Sequence, residues 1–109
     1  MATADLTVIA LGRSDLSASA YIAEIQRRLA SQEQVGYVMH AMGTSLEGPT
    51  ADIMALVAEL HDIPFTMGIR RVYTVLKLDE RRDRPDQTLQ DKVCSVRRRL
   101  DGPQEGTST

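Results

Sequence analysis

The order in which two hydrophobic periodicities alternate along this chain constrains its fold more than any other feature. Four apolar-rich runs have the length and composition of β-strands: residues 6–11, 35–42, 44–48 and 71–78. Two intervening stretches repeat apolar residues at three- and four-residue spacing, which is the pattern of an amphipathic helix. The predicted order is therefore strand, helix, strand, strand, helix, strand.

The two helices of this order have recognisable ends. The first is predicted over about residues 17–31, where serines at its start can cap the free amides of the first turn. The second begins near Thr50 and contains Pro64. Because proline lacks a backbone donor and clashes with the preceding turn, we expect a kink or break around residues 61–63. Gly68 is a suitable stop for this helix.

A third helix is predicted after the last strand. Thr88 and Asp91 resemble a capping box with aspartate in place of glutamate. Four apolar residues share one face of this helix: Leu89, Val93, Val96 and Leu100. The complete order predicts an α+β fold, a ferredoxin-like βαββαβ antiparallel sheet with an extra C-terminal helix. Residues 1–100 would form this single domain and residues 101–109 a disordered tail.

Composition restricts both the core and the possible partners. The 109 residues include one phenylalanine, three tyrosines and no tryptophan, so the core must be aliphatic. The scarcity of aromatics argues against a surface that stacks the bases of single-stranded nucleic acid. Cys94 is the only cysteine, which excludes an internal disulfide and favours a packed thiol. With no signal peptide and no membrane-length apolar run, we expect a cytoplasmic protein without membrane contact.

The segment from His40 to Gly48 is the most informative for function. It combines a turn-capable Gly43 with two hydroxyls and one carboxylate, in a span too short for a helix. It predicts a hairpin between the second and third strands, with a β-bulge near Gly43. If the protein has a ligand, we expect Thr44 and Glu47 to help hold it.

Three motifs resemble the small thiamine-binding-protein family: Val8 to Gly12 before a serine-rich helix start, Met42 to Gly48, and Lys77 to Asp83. The resemblance extends from about residue 6 to residue 100. It implies a ferredoxin-like fold, dimers that associate into tetramers, and a ligand pocket at or near the subunit contacts. The implied ligand is thiamine or its hydroxymethylpyrimidine part.

Thiamine is a cation with an aminopyrimidine, so its pocket needs a carboxylate, a few donors and acceptors, and apolar walls. Glu47 could accept from the exocyclic amine or balance the thiazolium charge, although it could also be a solvent-facing strand residue. Met39 and Met42 could supply polarizable walls. His40 is either a ligand contact or a surface or interface histidine. The predicted ligand-binding set is His40, Met42, Gly43, Thr44, Ser45, Glu47, Lys77, Asp79 and Arg82.

The charged segment at residues 79–86 allows a second reading. It could bind an anion or phosphate, or it could be a salt-bridged loop that fixes a subunit contact. The alternative function is therefore an oligomeric regulatory or scaffolding module that recognises a protein or an anion through this loop.

An enzymatic function has no support in the sequence. There is no Ser-His-Asp set, metal-ligand cluster, phosphate loop or nucleotide fingerprint, so we predict a non-catalytic binding protein without metal or cofactor. The first and second strands are apolar on both faces, whereas a ferredoxin-like sheet carries its two crossover helices on one face. A partner subunit would cover the other face, and we expect a homo-oligomer, a dimer or a tetramer.

Overall fold

A computed structural model describes residues 1–12, 17–84 and 86–101. The elements are β1 (Ala2–Leu11), α1 (Ala18–Ala30), β2 (Gly36–His40), β3 (Gly43–Gly48), α2 (Thr50–Thr66), β4 (Arg71–Glu80) and α3 (Leu89–Asp101). The strands form an antiparallel sheet in the order β2-β3-β1-β4. This is the predicted ferredoxin-like arrangement with its extra C-terminal helix. The predicted disordered tail falls mainly on residues 102–109, which lie outside the described residues.

The first strand begins four residues earlier than its apolar run. Residues 2–5 pair with β3 on one side and with β4 on the other. A central strand with both ladders complete needs less hydrophobic content than an isolated strand, because its backbone groups are satisfied by both neighbours. The small Ala2 and Ala4 are buried there.

One face of the sheet is covered by α1 and α2. Even-numbered residues of β1 point towards these helices and join a single aliphatic cluster that includes one tyrosine, Tyr21. The largest fully buried side chains are Leu29, Leu46, Ile53, Leu60 and Pro64. The aliphatic core is thus as the composition predicts.

The predicted break in the second helix is wrong. α2 continues through Pro64 to Thr66. Pro64 removes only the hydrogen bond that its amide would give to Leu60, one turn before the helix ends. Its ring is completely buried, so hydrophobic burial offsets the lost bond.

Gly68 ends this helix, as expected. Its φ of 92° lies in the left-handed region that glycine adopts without strain. The Gly68 amide donates to the carbonyl of Phe65 at 3.2 Å, and the Ile69 amide donates to that of Pro64 at 3.1 Å. These two bonds form a Schellman motif, which satisfies the carbonyls left open at the helix end.

α3 lies on the opposite face of the sheet, across one end. Lys92 Nζ donates to Thr3 Oγ1 at 2.6 Å and also pairs with Asp79. The predicted capping box is confirmed, since the Thr88 amide donates to Asp91 Oδ2 at 3.0 Å and the Asp91 amide to Thr88 Oγ1 at 3.1 Å. The rest of this face, the open face, is not covered by either crossover helix.

The apolar stripe of α3 is present but is not buried. Val93, Val96 and Leu100 are 44%, 57% and 65% exposed. The contacts that hold α3 to the sheet are therefore mainly polar. Among the described residues, no helix is long and apolar enough to cross a membrane.

Candidate functional site

The sheet has a gap beside the second half of β1. β1 pairs with β4 along its whole length, but it pairs with β3 only from Ala2 to Leu6. From Thr7 onward, the β3 side of β1 has no neighbouring strand. The gap arises because the β2–β3 hairpin turns away at this point.

The hairpin turns at Ala41 and Met42, and its register is one-to-one from His40↔Gly43 onward. The predicted bulge near Gly43 is therefore wrong. Glycine is required for another reason: a Cβ atom at Gly43 would lie 2.4 Å from the backbone oxygen of Leu6. Only glycine allows the hairpin to approach β1 so closely.

The gap opens into a cavity of about 410 Å³. Its walls come from β1 (residues 6–9), from α1 (Tyr21, Ile22, Ile25 and Gln26) and from the hairpin (residues 39–44). This volume is within the usual range for small-molecule sites, and mainly apolar walls are typical of them. Met39 and Met42 are 59% and 80% exposed, so two flexible thioether side chains are available to pack on a ligand.

A polar pair lies on the α1 side of the cavity. Gln26 Nε2 donates to Thr44 Oγ1 at 3.0 Å, and Thr44 is only 5% exposed. Because its oxygen accepts this bond, the Thr44 hydroxyl keeps its own proton to donate elsewhere. The pair provides a fixed polar point in an otherwise apolar wall.

Two further bonds hold the hairpin turn to β1. Thr7 Oγ1 donates to the carbonyl of Met42 at 3.1 Å. His40 Nε2 lies 2.9 Å from Asp5 Oδ1 on the open face. The turn that forms one cavity wall is thus attached to the strand that forms another.

The structure brings together only part of the predicted ligand-binding set. His40, Met42, Gly43 and Thr44 all line the cavity. The remaining members do not line it: Ser45, Glu47, Lys77, Asp79 and Arg82. The strand pleat separates Thr44 from its neighbour Ser45, because successive side chains point to opposite faces. The ligand-binding role of these residues stays a prediction.

Glu47 contacts α3 instead of the cavity. Its Oε1 accepts the amide of Leu89, the first residue of α3, at 2.8 Å. A carboxylate in this position satisfies a free amide and interacts favourably with the positive end of the helix. The geometry gives Glu47 a role in attaching α3 to the sheet.

We therefore expect Glu47→Ala to loosen α3. Loss of a charge-assisted bond at a helix start should lower the free energy of unfolding by about 1–2 kcal/mol. Native-state hydrogen exchange should show faster exchange of α3 amides, while the relative exchange rates among the core amides of α2 stay the same. Glu33→Ala, at an exposed position before β2, is the matched control. Unchanged α3 protection in the Glu47 variant would contradict this role.

The charged loop forms ion pairs between neighbouring residues. Arg81 Nε donates to Asp83 Oδ1 at 3.0 Å, and Arg82 Nε lies 3.5 Å from Glu80 Oε2. The hydrogen bonding from Arg81 lowers the pKa of Asp83, and the same interaction raises the pKa of Arg81. Both groups are fully exposed, so solvent and salt weaken the pair.

Gln26 and Tyr21 are two polar residues of the cavity wall that sequence reasoning missed. A polar residue of an amphipathic helix is expected on its outward side, so the residue type of Gln26 does not predict a place in the cavity. The sequence nevertheless indicates that Gln26 faces the cavity, since it is one residue after the buried Ile25 and one turn after Ile22, which also lines the cavity.

Within the described residues, no group of three or more His, Cys, Asp or Glu side chains is arranged to hold a metal ion.

Comparison with known proteins identifies relatives along nearly the whole chain. Residues 4–97 match the family described as thiamine-binding protein. The UPF0045 protein YqgV of Bacillus subtilis is 38% identical over 103 residues, which cover 92% of this chain and 98% of the relative. A UPF0045 protein of Methanothermobacter thermautotrophicus is 43% identical over 101 residues, which cover 92% of this chain and 100% of the relative.

Solved structures share the fold. A hypothetical protein of Methanocaldococcus jannascii has a TM-score of 0.75 at 28% identity and covers 87% of this chain and 94% of its own. A Thermotoga maritima protein, described as a candidate thiamine biosynthesis/salvage protein, has a TM-score of 0.71 at 21% identity and covers 87% and 97%. At that identity the second likeness supports the fold alone. Because the family match covers most of the chain and both curated relatives align over nearly their full length, this chain belongs to the thiamine-binding protein family, which supports a role in binding a small molecule.

Proposed function

We propose that this chain is a non-catalytic binding protein for thiamine or a related hydroxymethylpyrimidine compound, and that the ligand occupies the cavity beside β1. One observation carries the proposal. In a member of the thiamine-binding family, a mainly apolar cavity of about 410 Å³ is lined by the hydrogen-bonded pair of a half-buried Gln26 and a buried Thr44. Apolar walls with a few fixed polar groups suit a flat heterocycle, which needs burial for its faces and hydrogen bonds for its edge.

The cavity lining supports binding without catalysis. Among the described residues that line it, the titratable side chains are His40 and Tyr21. His40 contacts Asp5, and the Tyr21 hydroxyl accepts the amide of Ala10 at 3.2 Å. Among the described residues of its lining, no serine, cysteine or lysine is present to act as a nucleophile beside the histidine.

Two measurements test this proposal. Mass spectrometry of small molecules released from freshly purified protein should detect thiamine or its pyrimidine. Calorimetry should then show saturable binding of thiamine and of hydroxymethylpyrimidine, and weaker binding of the isolated thiazole half. Absence of heat and of any thermal shift with both pyrimidine-containing compounds would reject the function.

Self-association is also part of the proposal. Ile9, Tyr73 and Val75 are at least 37% exposed on the open face, and the apolar stripe of α3 lies on the same side of the sheet. The open face also carries opposite charges in register, Asp5 beside Lys77. A second copy of this face can therefore pair apolar with apolar side chains and acid with base.

Light scattering at micromolar concentration should give a dimer or tetramer mass. Val96→Glu, which places a charge in the stripe, should shift the mass towards the monomer. Val38→Glu, on the edge strand β2, tests whether the far end of the open face also takes part in self-association. A monomer mass for the unmodified protein would reject self-association.

The alternative role for the charged loop has weaker support. Two of its three arginines, Arg81 and Arg82, already contact neighbouring acids, which reduces the charge available to an external anion. The alternative would gain if changes at these two residues abolished a partner interaction and left thiamine binding intact.

A further inference from the structure

The backbone of β1 has an unpaired position inside the cavity. In an antiparallel sheet, the amide and carbonyl of one residue point to the same side, and alternate residues share that side. The amide of Ala10 points away from β4, because it donates to Tyr21 Oη of α1 at 3.2 Å. The amide and carbonyl of Val8, two residues earlier, therefore point into the same gap.

The strand that would pair with Val8 is missing. The β1–β3 ladder ends at Leu6↔Thr44, and the next partner in register would be Met42. Met42 is in the turn, and its carbonyl accepts the Thr7 hydroxyl. Among the described residues, no backbone bond outside the regular elements reaches Val8.

Val8 lines the cavity and is only partly exposed. Backbone groups that are shielded from water need partners, and nearly all of them in folded proteins have one. The neighbouring even positions satisfy this rule, Leu6 through β3 and Ala10 through Tyr21. Val8 is the exception, and it presents one donor and one acceptor side by side towards a mainly apolar space.

We infer that Val8 is a specificity-determining position, whose amide and carbonyl pair with the edge of the bound ligand as a missing strand would. The matching edge has an acceptor next to a donor, as in the ring nitrogen and exocyclic amine of an aminopyrimidine. This inference rests on the proposed function, because it assigns the backbone groups of Val8 as the ones that recognise the ligand in that cavity. Thr44 would then provide a second contact from the α1 side.

Hydrogen exchange of the unmodified protein tests the inference without disturbing the fold. Saturating hydroxymethylpyrimidine should slow exchange of the Val8 amide by at least about tenfold. The Leu6 amide, which already faces β3, serves as the internal control and should change little. An analogue with hydrogen in place of the exocyclic amine should bind at least about tenfold more weakly, because the Val8 carbonyl loses its donor.

A pair of variants gives an independent readout. Val8→Pro removes the amide hydrogen on the side that has no strand, whereas Val8→Ala keeps it and shortens the side chain. Binding should fall at least about tenfold in the proline variant relative to the alanine variant, with circular dichroism to check folding. If the proline variant does not fold, the exchange experiment decides alone.

The outcomes separate the two proposals. Saturable binding with an unprotected Val8 amide, and equal affinity for the analogue without the amine, would overturn the role of Val8 and leave the proposed function standing. Absence of binding by thiamine and by hydroxymethylpyrimidine would overturn both.

Discussion

Gly43→Ala is expected to lower the free energy of unfolding by about 2–3 kcal/mol and to remove ligand binding. The added Cβ would meet the Leu6 backbone oxygen at 2.4 Å, a contact that only a backbone shift can relieve. Moving the hairpin away from β1 would break the last rungs of the β1–β3 ladder. It would also displace the Met42 wall of the cavity. Urea unfolding and calorimetry measure the two effects.

Gly36→Ala in the same hairpin is the matched control. A Cβ atom there would lie 3.0 Å from Cγ of Glu47, a side-chain atom that needs to shift by only a few tenths of an ångström, a smaller change than one that breaks its bond to the Leu89 amide. We expect a change in unfolding free energy below about 1 kcal/mol and unchanged ligand affinity. Equal losses of unfolding free energy and ligand affinity in the two variants would show that the loss of a glycine in itself, and not the close approach to Leu6, determines the effect.

Thr44→Val is expected to weaken binding of thiamine or hydroxymethylpyrimidine by roughly 10- to 100-fold. The substitution keeps the shape of the side chain and removes the hydroxyl that bonds Gln26 at 3.0 Å. The ligand then loses a donor in a buried wall, and the Gln26 amide loses its acceptor. Calorimetry of the folded variant gives the change in affinity directly.

A double-mutant cycle with Gln26→Leu separates the two parts of this effect. If the residues act as a pair, the double variant should bind about as weakly as either single variant. Thr50→Val is the control, because its hydroxyl donates to Glu80 at 2.8 Å, and Glu80 pairs with Ala2, at the other end of β1 from the cavity. Unaltered affinity in the Thr44 variant would remove this pair from the site.

The local physics of the chain was sufficient to predict the fold. The spacing of Ile53, Leu56 and Leu60 identifies a buried helix face, and these residues are buried. The capping residues around Thr88 and the stop at Gly68 act within a few residues along the chain, and both were predicted correctly. The predicted break at Pro64 did not occur, because the penalty of proline is local, whereas the compensation comes from burial of the ring in a core formed by distant residues.

The site was predicted less completely, for a similar reason. The sequence alone identified the hairpin and four residues that line the cavity, because glycine and hydroxyl groups between two strands mark an unusual turn. Glu47 was grouped with Thr44 by closeness in sequence. Two side chains separated by three residues along a strand lie on opposite faces of the sheet and roughly 10 Å apart. Thr44 therefore lines the cavity, whereas Glu47 holds α3.

By itself, the sequence determined the order of elements, the aliphatic core and the place where the chain turns, since each depends on neighbours within about one turn or one strand. Only the tertiary structure decided where β3 stops beside β1, which face α3 covers and which polar groups meet in the cavity. Those features depend on contacts between residues such as Gln26 and Thr44, or Leu6 and Gly43, that are far apart in the chain. Periodicity shows which face of an element is apolar, but it does not show what that face will meet.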